Sequence, residues 1–501
     1  MFRTIIALIL VASLPFSEHI SEWSGDGRHC SAYSRHFSRL GIPQANLDLH
    51  SDYRNIEPMA TESAHCVPNH TILIETAKHI VPPERYVWNW RDAIVLKAMT
   101  DIYDDCPESR TDVMQWIVTA MNSSLSKAHG RHPNGVASGT GPAFLSRVTE
   151  SNSASGLVSC EDVPMSSDKK DNGLRINNVS VETAYKNKAV QIYAQYSDIP
   201  RFQGATSHRP GRIELWDDSV YMLSMFLLEM YRSTGDEKYL NDCIREVTAH
   251  ADKLRDSRTG LWWHGWASST AINDDGCCEC GWNANPQQRN GEFWGRGNGW
   301  IAMALANLLS VMPENHSQYM VILKWYRQMM DTLCKLQDKT TGHWMQLPIR
   351  IGKKDAPENY YARNKYRNVA DGNNREKGAN YIESSCTAMF GYALAQGLSK
   401  GLIHGKKYES AIELAHSGLW KYSLKAVSGK TAEFISMSNI CTGTCIGGKD
   451  YYYSRGVTEN ESFAVGAVIL FENRYHCLTR HGIVCQRSHE GCPIASQHTP
   501  D

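Results

Sequence analysis

The sequence predicts an all-α protein built from repeated helical hairpins. From Tyr86 onwards, apolar residues recur with helical spacing in one segment after another. Two of these segments end in similar turns, DSRTGLWW at 256–263 and DKTTGHWM at 338–345, and no strong strand alternation separates the segments. Hairpins that each bury one face against the next form a closed or solenoidal array, and long loops on one side favour a toroid with an active face.

The order of helices and loops follows from this periodicity. We expect a signal peptide at 1–20, an irregular leader at 21–85 with a helix near 71–80, the helical array at 86–475, and a Cys-containing tail at 476–501. Residues 131–175 are rich in Gly, Ser, Pro and Asp, which predicts a loop. Helical spacing marks segments near 93–99, 113–120, 183–196, 218–233, 238–254, 299–311, 317–336, 384–397, 407–419 and 462–471.

The N-terminus and the cysteines predict a secreted or lumenal protein. Arg3 precedes an apolar run at 5–14, which is too short to span a bilayer and typical of a signal peptide. Fifteen cysteines fit an oxidising compartment, and the odd count leaves at least one outside an internal pair. Five N-x-[ST] sequons predict glycosylation, and they begin at Asn69, Asn122, Asn178, Asn315 and Asn460.

Charge and motif content exclude several function classes. The 52 basic and 53 acidic residues give a net charge of −1, which predicts neither nucleic acid nor an anionic membrane as a partner. The sequence contains no P-loop, dinucleotide fingerprint, nucleophile elbow or H-E-x-x-H zinc helix. Cys277, Cys278 and Cys280 lack a second ligand pair with zinc-site spacing, so they read as disulfide partners. We therefore expect no metal and no organic cofactor.

The segment 216–222, WDDSVYM, opens a long apolar helix and holds the strongest candidate for acid catalysis. Adjacent acids at a helix start are commonly structural, because the helix dipole favours negative charge there. Trp216 favours a chemical role instead, since an aromatic wall can desolvate a carboxyl and raise its pKa. From the residues alone, a structural role at the helix start and a proton donor in this turn are both open, and a charged Asp217 beside Asp218 would raise the pKa of Asp218.

Three further motifs have the composition of a carbohydrate cleft or its support. His264 lies among Trp262, Trp263 and Trp266 in GLWWHGW, as expected of a polar contact in an aromatic sugar site. In FWGRGNGW at 293–300, alternating glycines allow close backbone approach and present Arg296, although a Gly-rich helix entry with buried Trp explains the motif equally well. In 380–390, Ser384 or Ser385 is expected to cap a helix and Glu383 to anchor a neighbouring loop.

Taken in order, these motifs resemble those of the unsaturated rhamnogalacturonyl hydrolases, glycoside hydrolase family 105, and more distantly the unsaturated glucuronyl hydrolases. The resemblance covers roughly 86–475. It rests on W-x-D-x-x-Y-M at 216–222, T-G-L-x-x-H-G-W at 259–266, F-W-G-R-G-N-G-W at 293–300, Y-I-E-S-S-x-T-A-M-F at 381–390, and a looser match at 451–466.

The resemblance implies an (α/α)6 barrel, a six-hairpin toroid, and a specific reaction. Such enzymes act on oligosaccharides whose terminal uronic acid carries a C4=C5 double bond left by a lyase. An Asp protonates C4, water adds at C5, and the resulting hemiketal opens and expels the aglycone. In this sequence the acid is Asp218. The expected substrate contacts are Trp216, His264, Trp266, Trp294, Arg296, Trp300, His208 and Asn178, with Arg296 holding the uronate.

Two departures from the family pattern leave the substrate open. The segment 175–178, which ends at Asn178, is the best counterpart of a polar Asp/Asn pair of the family, yet a glycan on the Asn178 sequon would block the cleft. The loops 131–175 and 271–291 are longer than the pattern needs, so glycosaminoglycan fragments compete with rhamnogalacturonan. A saturated-sugar hydrolase or lyase of the same fold is a competing function, and so is a catalytically silent sugar-binding protein.

Overall fold

In the computed structural model, the described residues are 70–106, 109–155, 175–176, 179–209, 211, 213–268, 288–348, 380–429 and 432–480. They all belong to the compact unit Ser63–Asp501. The expected signal peptide, most of the leader, most of the tail, Asn178 and the cysteines at 277–280 lie outside them. Among the described helices, none is both long and apolar enough to cross a membrane.

Helices make up most of the described chain. In chain order they are α1 (His70–Ile80), α2 (Trp90–Asp105), α3 (Arg110–Ser124), α4 (Pro133–Val136), α5 (Thr140–Ser155), α6 (Val181–Ser197), α7 (Asp217–Thr234), α8 (Glu237–Leu254), α9 (Gly295–Val311), α10 (Tyr319–Leu336), α11 (Ser384–Ser399), α12 (Lys406–Tyr422), α13 (Lys449–Ser454) and α14 (Ser462–Arg480). Short 3-10 turns lie at Pro83–Arg85, Leu125–Lys127 and Ala137–Gly139.

Six of these helices form a closed inner ring. Each packs against the next in the order α2, α5, α7, α9, α11, α14 and back to α2. Outer helices α1, α3, α6, α8, α10 and α12 pack against this ring. The inner helices α9 and α11 are buried around almost their whole circumference, whereas the outer helix α8 buries one stripe only, as expected for the two layers. The predicted (α/α)6 barrel is confirmed.

The turn between α7 and α8 shows how the sequence makes a tight helical hairpin. Gly235 ends α7 with a left-handed φ of 67°, a conformation that glycine adopts without strain. Asp236 then caps α8 by accepting a hydrogen bond from the backbone N–H of Lys238. Two residues therefore reverse the chain.

The strands are short antiparallel pairs in the connections between helices. They are β1 (Arg175–Ile176), β2 (Val179–Ser180), β3 (Arg201–Phe202), β4 (Ala205–Thr206), β5 (Glu214–Trp216), β6 (Gly265–Ala267), β7 (Trp344–Met345), β8 (Ile382–Glu383), β9 (Leu424–Ser428), β10 (Glu433–Met437), β11 (Ile440–Cys441) and β12 (Val457–Thr458). Each pairs with one partner, in the order β1 with β2, β3 with β4, β5 with β6, β7 with β8, β9 with β10 and β11 with β12.

The prediction of a loop throughout 131–175 is wrong, because α5 occupies Thr140–Ser155 as one of the inner helices. Polar and small residues at both ends of this helix give it a loop-like composition, although its short centre is apolar. Phe144 and Leu145 in that centre are fully buried in the barrel core. Pro142 is compatible with the helix because it lies in the first turn, where the missing N–H costs no hydrogen bond.

Candidate active site

The connections at the two ends of the inner helices differ in length. Long connections lead into the N-termini of α9 and α11, at 255–294 and 337–383, whereas two residues at 235–236 join α7 to α8 at the other end. The N-termini of α7, α9 and α11 lie together, because Gly297 packs against Asp217 and Arg296 lies near Glu383. Positive helix ends gathered on one face favour an anionic ligand.

The pairing of β5 with β6 places Asp218 beside His264. Trp216 lies opposite Gly265 in the ladder, and the backbone N–H of Asp217 donates to the carbonyl of His264 at 3.1 Å. The Nε2 atom of His264 therefore comes to 3.1 Å from Oδ2 of Asp218. Two residues separated by 46 positions in the chain form one polar pair.

The hydrogen bonds of Tyr452 determine which nitrogen of His264 carries the proton. The Tyr452 hydroxyl accepts from Nδ2 of Asn290 at 3.1 Å and from the backbone N–H of Gly447 at 3.3 Å. A hydroxyl has two acceptor positions and one proton, so it donates to Nδ1 of His264, 2.7 Å away. His264 then holds its own proton on Nε2 and donates it to Asp218.

Aromatic rings flank this pair on two sides. His208 stacks on Trp216 with ring centroids 4.2 Å apart, and its Nδ1 lies 2.8 Å from Oγ of Ser219. His264 stacks on Trp294 at 4.3 Å. The predicted site residues His208, Trp216, Asp218, His264 and Trp294 thus form one cluster.

The two adjacent carboxyls have opposite environments. The side chain of Asp218 is 17 % exposed, whereas Asp217 is fully buried. Burial raises the pKa of Asp217 well above its ordinary value, and the negative Asp218 raises it further. Burial also acts to raise the pKa of Asp218, but the hydrogen bonds from His264 and Asp217 outweigh it and leave this pKa lowered. The expectation that Trp216 and Asp217 raise the pKa of Asp218 is wrong.

Arg296 is placed behind the aromatic cluster. It is only 1 % exposed, and its Nη atoms donate to the carbonyls of Cys441 at 2.8 Å and Thr442 at 2.9 Å. The guanidinium lies 4.4 Å from the Trp294 ring centroid and 3.7 Å from Glu383. In this structure Arg296 fixes the segment 441–442 through its own hydrogen bonds.

Glu383 anchors the same segment from the other side. Its Oε1 accepts from the backbone N–H of Cys441 at 2.9 Å, which confirms that Glu383 holds a neighbouring loop. The expected serine cap of α11 is wrong, because Glu383 itself accepts from the N–H groups of Ser385 and Cys386. A carboxylate at this position also suits the positive helix end.

Two predicted contact residues lie away from the cluster. Side chains alternate along a strand, so Trp266 of β6 points to the opposite face from Gly265 and packs on Phe202 at 4.8 Å. Trp300 is fully buried in the core, where it stacks on Tyr221 at 5.3 Å. Neither ring joins the wall around Asp218, and Asn178 lies outside the described residues.

The sequence matches the family model described as Glycosyl Hydrolase Family 88 over residues 67–359 and 368–479. The chain belongs to glycosyl hydrolase family 88. This membership, together with the curated relatives, confirms the family resemblance seen in the motifs.

Two curated relatives are similar to parts of this family-88 chain. The unsaturated rhamnogalacturonyl hydrolase YesR of Bacillus subtilis (strain 168) is 28% identical over 180 residues, which are 34% of this chain and 47% of the relative. An unsaturated 3S-rhamnoglycuronyl hydrolase of Alteromonas sp. (strain LOR) is 25% identical over 219 residues, 43% of each chain. The chain thus matches less than half of the length of either relative.

Solved structures share the fold over nearly their whole length. A family 105 glycoside hydrolase of C. acetobutylicum ATCC 824 has a TM-score of 0.59 at 20% identity, covering 81% of this chain and 99% of its own. A possible family 105 member from Klebsiella pneumoniae has a TM-score of 0.58 at 17% identity, covering 87% and 98%.

Sequence reasoning missed the residues that support the site from a distance. Tyr452 and Asn290 orient His264, and Glu214 accepts from Nε1 of Trp216 at 2.8 Å. The tyrosines at 451–453 lay within the looser family match, but nothing in the sequence links them to His264. Glu214 lies two residues before Trp216, yet its role depends on the strand pairing.

The cluster also contains the described group that comes nearest to a metal-site arrangement. Ligand atoms of Asp217, Asp218 and His264 all lie within 4.8 Å of one another. With its proton on Nε2, His264 donates to Asp218. The same three side chains suit proton transfer, because two adjacent carboxyls and an imidazole lie together.

We expect Tyr452→Phe to disturb the tautomer of His264. Loss of the hydroxyl leaves Nδ1 buried without its donor, at a cost of about 1–3 kcal/mol in the free energy of unfolding. The Nδ1–H form of His264 then gains population, and Asp218 loses its hydrogen bond in that fraction. Nitrogen-15 NMR of the ring, with Tyr451→Phe as control, measures this change. Unchanged His264 ring shifts in Tyr452→Phe would contradict the assigned proton position.

Proposed function

We propose that this family-88 chain is a glycosidase that releases a terminal C4=C5 unsaturated uronic acid from lyase-generated oligosaccharides. The observation that carries the proposal is the setting of Asp218, a partly exposed carboxyl held by His264 between Trp216 and Trp294. Aromatic walls suit a sugar ring, and a positioned carboxyl suits proton transfer to it.

The arrangement of carboxyls favours hydration of a double bond over ordinary glycoside hydrolysis. Ordinary glycosidases place two carboxyls on either side of the sugar, about 5–10 Å apart. Here the second acid of the described cluster, Asp217, is fully buried and has an oxygen within 4.8 Å of one on Asp218. Of these two acids, Asp218 alone is placed to touch a sugar, and protonation of a vinyl ether needs only one acid.

In the proposed reaction, Asp218 transfers its proton to C4 of the unsaturated ring. The electron pair of the C4=C5 bond forms the new C–H bond, and the ring oxygen stabilises the positive charge at C5. Water adds at C5 and returns a proton to Asp218. The hemiketal that results opens and releases the aglycone.

A pectin-derived, rhamnogalacturonan-type substrate is the preferred source of this uronic acid. The support is that the similar Bacillus protein is an unsaturated rhamnogalacturonyl hydrolase, together with the positive helix ends on the site face. We assign the aromatic contacts to Trp216 and His208, whereas Trp294 is 1 % exposed and supports the site by stacking on His264. Arg296 contributes to the site by holding the segment 441–442 in place.

We also propose that the protein is secreted and glycosylated. The apolar run at 5–14 after Arg3 and the fifteen cysteines support the secretory route, and Cys445 near the site is disulfide-bonded. The sequon residues Asn122 and Asn315 are exposed, so both are accessible to a glycan. A mass decrease after endoglycosidase treatment of secreted protein tests this, and an unchanged mass contradicts glycosylation.

The activity is tested by following the ultraviolet absorbance of the C=C bond. Unsaturated disaccharides made by a rhamnogalacturonan lyase and by glycosaminoglycan lyases are incubated in parallel with the purified protein. Loss of absorbance with the first substrate alone supports the full proposal, and loss with the second alone changes the substrate class. No loss with any of them, across several pH values, leaves a sugar-binding protein or a different barrel enzyme.

A further inference from the structure

Asp217 is a buried acid for which the proposed hydration has no use. Its side chain is fully buried, and apart from the adjacent carboxyl of Asp218 its oxygens have no side-chain hydrogen-bond partner among the described residues. Its Oδ1 lies 4.0 Å from Nε2 of His264, the same atom that donates to Asp218. An uncompensated buried carboxylate is costly, so this position needs a physical explanation.

We propose that Asp217 and Asp218 share a single proton, and that Asp217 stores this proton and supplies it to Asp218 for the reaction. This inference rests on the proposed function. It makes Asp217 a positioning residue for the proton, because it acts through Asp218 and does not touch the sugar.

The geometry favours one proton on the pair, with Asp217 holding it at rest. Two carboxyls this close cannot both ionise without strong repulsion, so their titrations are coupled. Asp218 is stabilised as the anion by the His264 Nε2–H, whereas Asp217 receives no such hydrogen bond. The raised pKa of Asp217 and the lowered pKa of Asp218 agree with this distribution.

Other titratable groups face the pair without supplying a second proton. His208 and His264 precede α7 and β6, and burial lowers the pKa of each, which keeps both neutral. Tyr452 of α13 also stays neutral, because burial raises its pKa. Two arginines also lie nearby. The charge of Arg296 of α9 further lowers the pKa of His264. Arg209 lies 5.1 Å from the Trp216 ring centroid and lowers the pKa of His208.

Gly297 supports this assignment from the neighbouring helix. A Cβ atom at position 297 would overlap the Asp217 carboxyl group. The glycine of the FWGRGNGW motif therefore makes room for a buried acid, where the sequence suggested close approach to a ligand. The first turn of α9 therefore packs closely against the Asp217 carboxyl only because position 297 has no side chain.

The shared proton resolves a difficulty of the proposed reaction. With a lowered pKa, Asp218 alone would be deprotonated at neutral pH and could not act as an acid. For the reaction, the single proton moves from Asp217 to Asp218, and Asp218 gives it to C4, so both carboxyls are ionised while C5 carries the positive charge. The proton lost by water at C5 then restores the pair to its single-proton state, so no proton is gained or lost overall.

The experiment compares the pH dependence of kcat for the wild type and Asp217→Asn. Asparagine is neutral like the protonated acid but cannot pass a proton to Asp218. We expect the wild-type rate to hold a plateau through neutral pH, whereas the Asp217→Asn rate should fall about tenfold per pH unit from the acid side. Asp236→Asn, the same change at the exposed start of α8, should keep the wild-type profile.

Each outcome bears on a different claim. A uniform loss at every pH, with the profile shape unchanged, would overturn the proton-sharing role and leave Asp217 structural. A wild type that hydrates no substrate would overturn the proposed function instead. The proton on the pair can then still be tested without substrate. The wild type should show an infrared band of a protonated carboxyl at neutral pH, and this band should disappear in Asp217→Asn; a band that remains in the variant overturns the proposal.

If Asp217→Asn does not fold, the smaller Asp217→Ser replaces it in both the kinetic and the infrared measurement.

Discussion

Asp218→Asn is expected to reduce the hydration rate by about 10²–10⁴-fold, the usual contribution of a positioned acid. The amide has nearly the same shape as the carboxyl but cannot deliver a proton to C4. Binding of the unsaturated sugar should survive, because Trp216, Trp294 and His208 are unchanged. The measurement is the rate of ultraviolet absorbance loss with the substrate that the wild type consumes, together with direct binding of the same substrate.

The control is again Asp236→Asn, which makes the same chemical change at another helix start but on the exposed α8. Both variants should unfold at temperatures close to that of the wild type. Turnover within a few-fold of the wild type in Asp218→Asn would disprove the assignment of this residue as the acid. Loss of both binding and turnover would point to a damaged site and not to a missing proton.

Replacing Arg296 with Met is expected to lower the free energy of unfolding by about 3–5 kcal/mol, because it breaks a buried ion pair. Arg296 is 1 % exposed, and Glu383 beside it is fully buried at 3.7 Å. The carbonyls of Cys441 and Thr442 also lose their donors. Denaturant unfolding measures the loss, and KM measures any separate effect on substrate binding.

Arg258→Met is the matched control for this stability change. Arg258 pairs with Asp256 at 3.3 Å in the turn after α8, and its side chain is 78 % exposed. Exposed pairs contribute about 1 kcal/mol or less, so this variant should remain close to the wild type. If Arg296→Met unfolds like the wild type but has a strongly raised KM, the guanidinium binds the uronate, as the sequence motif suggested.

The helical array was predictable because its signals are local. The limits of α8 were predicted within one residue, since Gly235 and Asp236 end one helix and begin the next. The inner helix α5 was missed because only its short apolar centre differs from a loop composition. The β9–β10 hairpin was missed as well, because one face is exposed and the other packs on α1, which the sequence alone does not reveal.

The sequence predicted which residues form the site, but it did not predict which of their atoms carry protons. The motifs singled out Asp218 and His264, and the β5–β6 ladder brings them together. The tautomer of His264 depends on Tyr452, which is 188 positions further along the chain. The burial of Asp217 depends on Gly297 in a different helix. Such electrostatic details depend on three-dimensional contacts that no local pattern contains.

The two-residue turn after α7 has a practical consequence for experiments on this enzyme. Gly235 lies at the far end of the helix that begins with Asp217, so Asp218 and the turn are separated by about 25 Å along the helix axis. A fluorophore, an affinity tag or a surface linker attached through this turn would leave the mouth of the barrel facing solution. Immobilised protein could then be assayed with large oligosaccharides without the support blocking their entry.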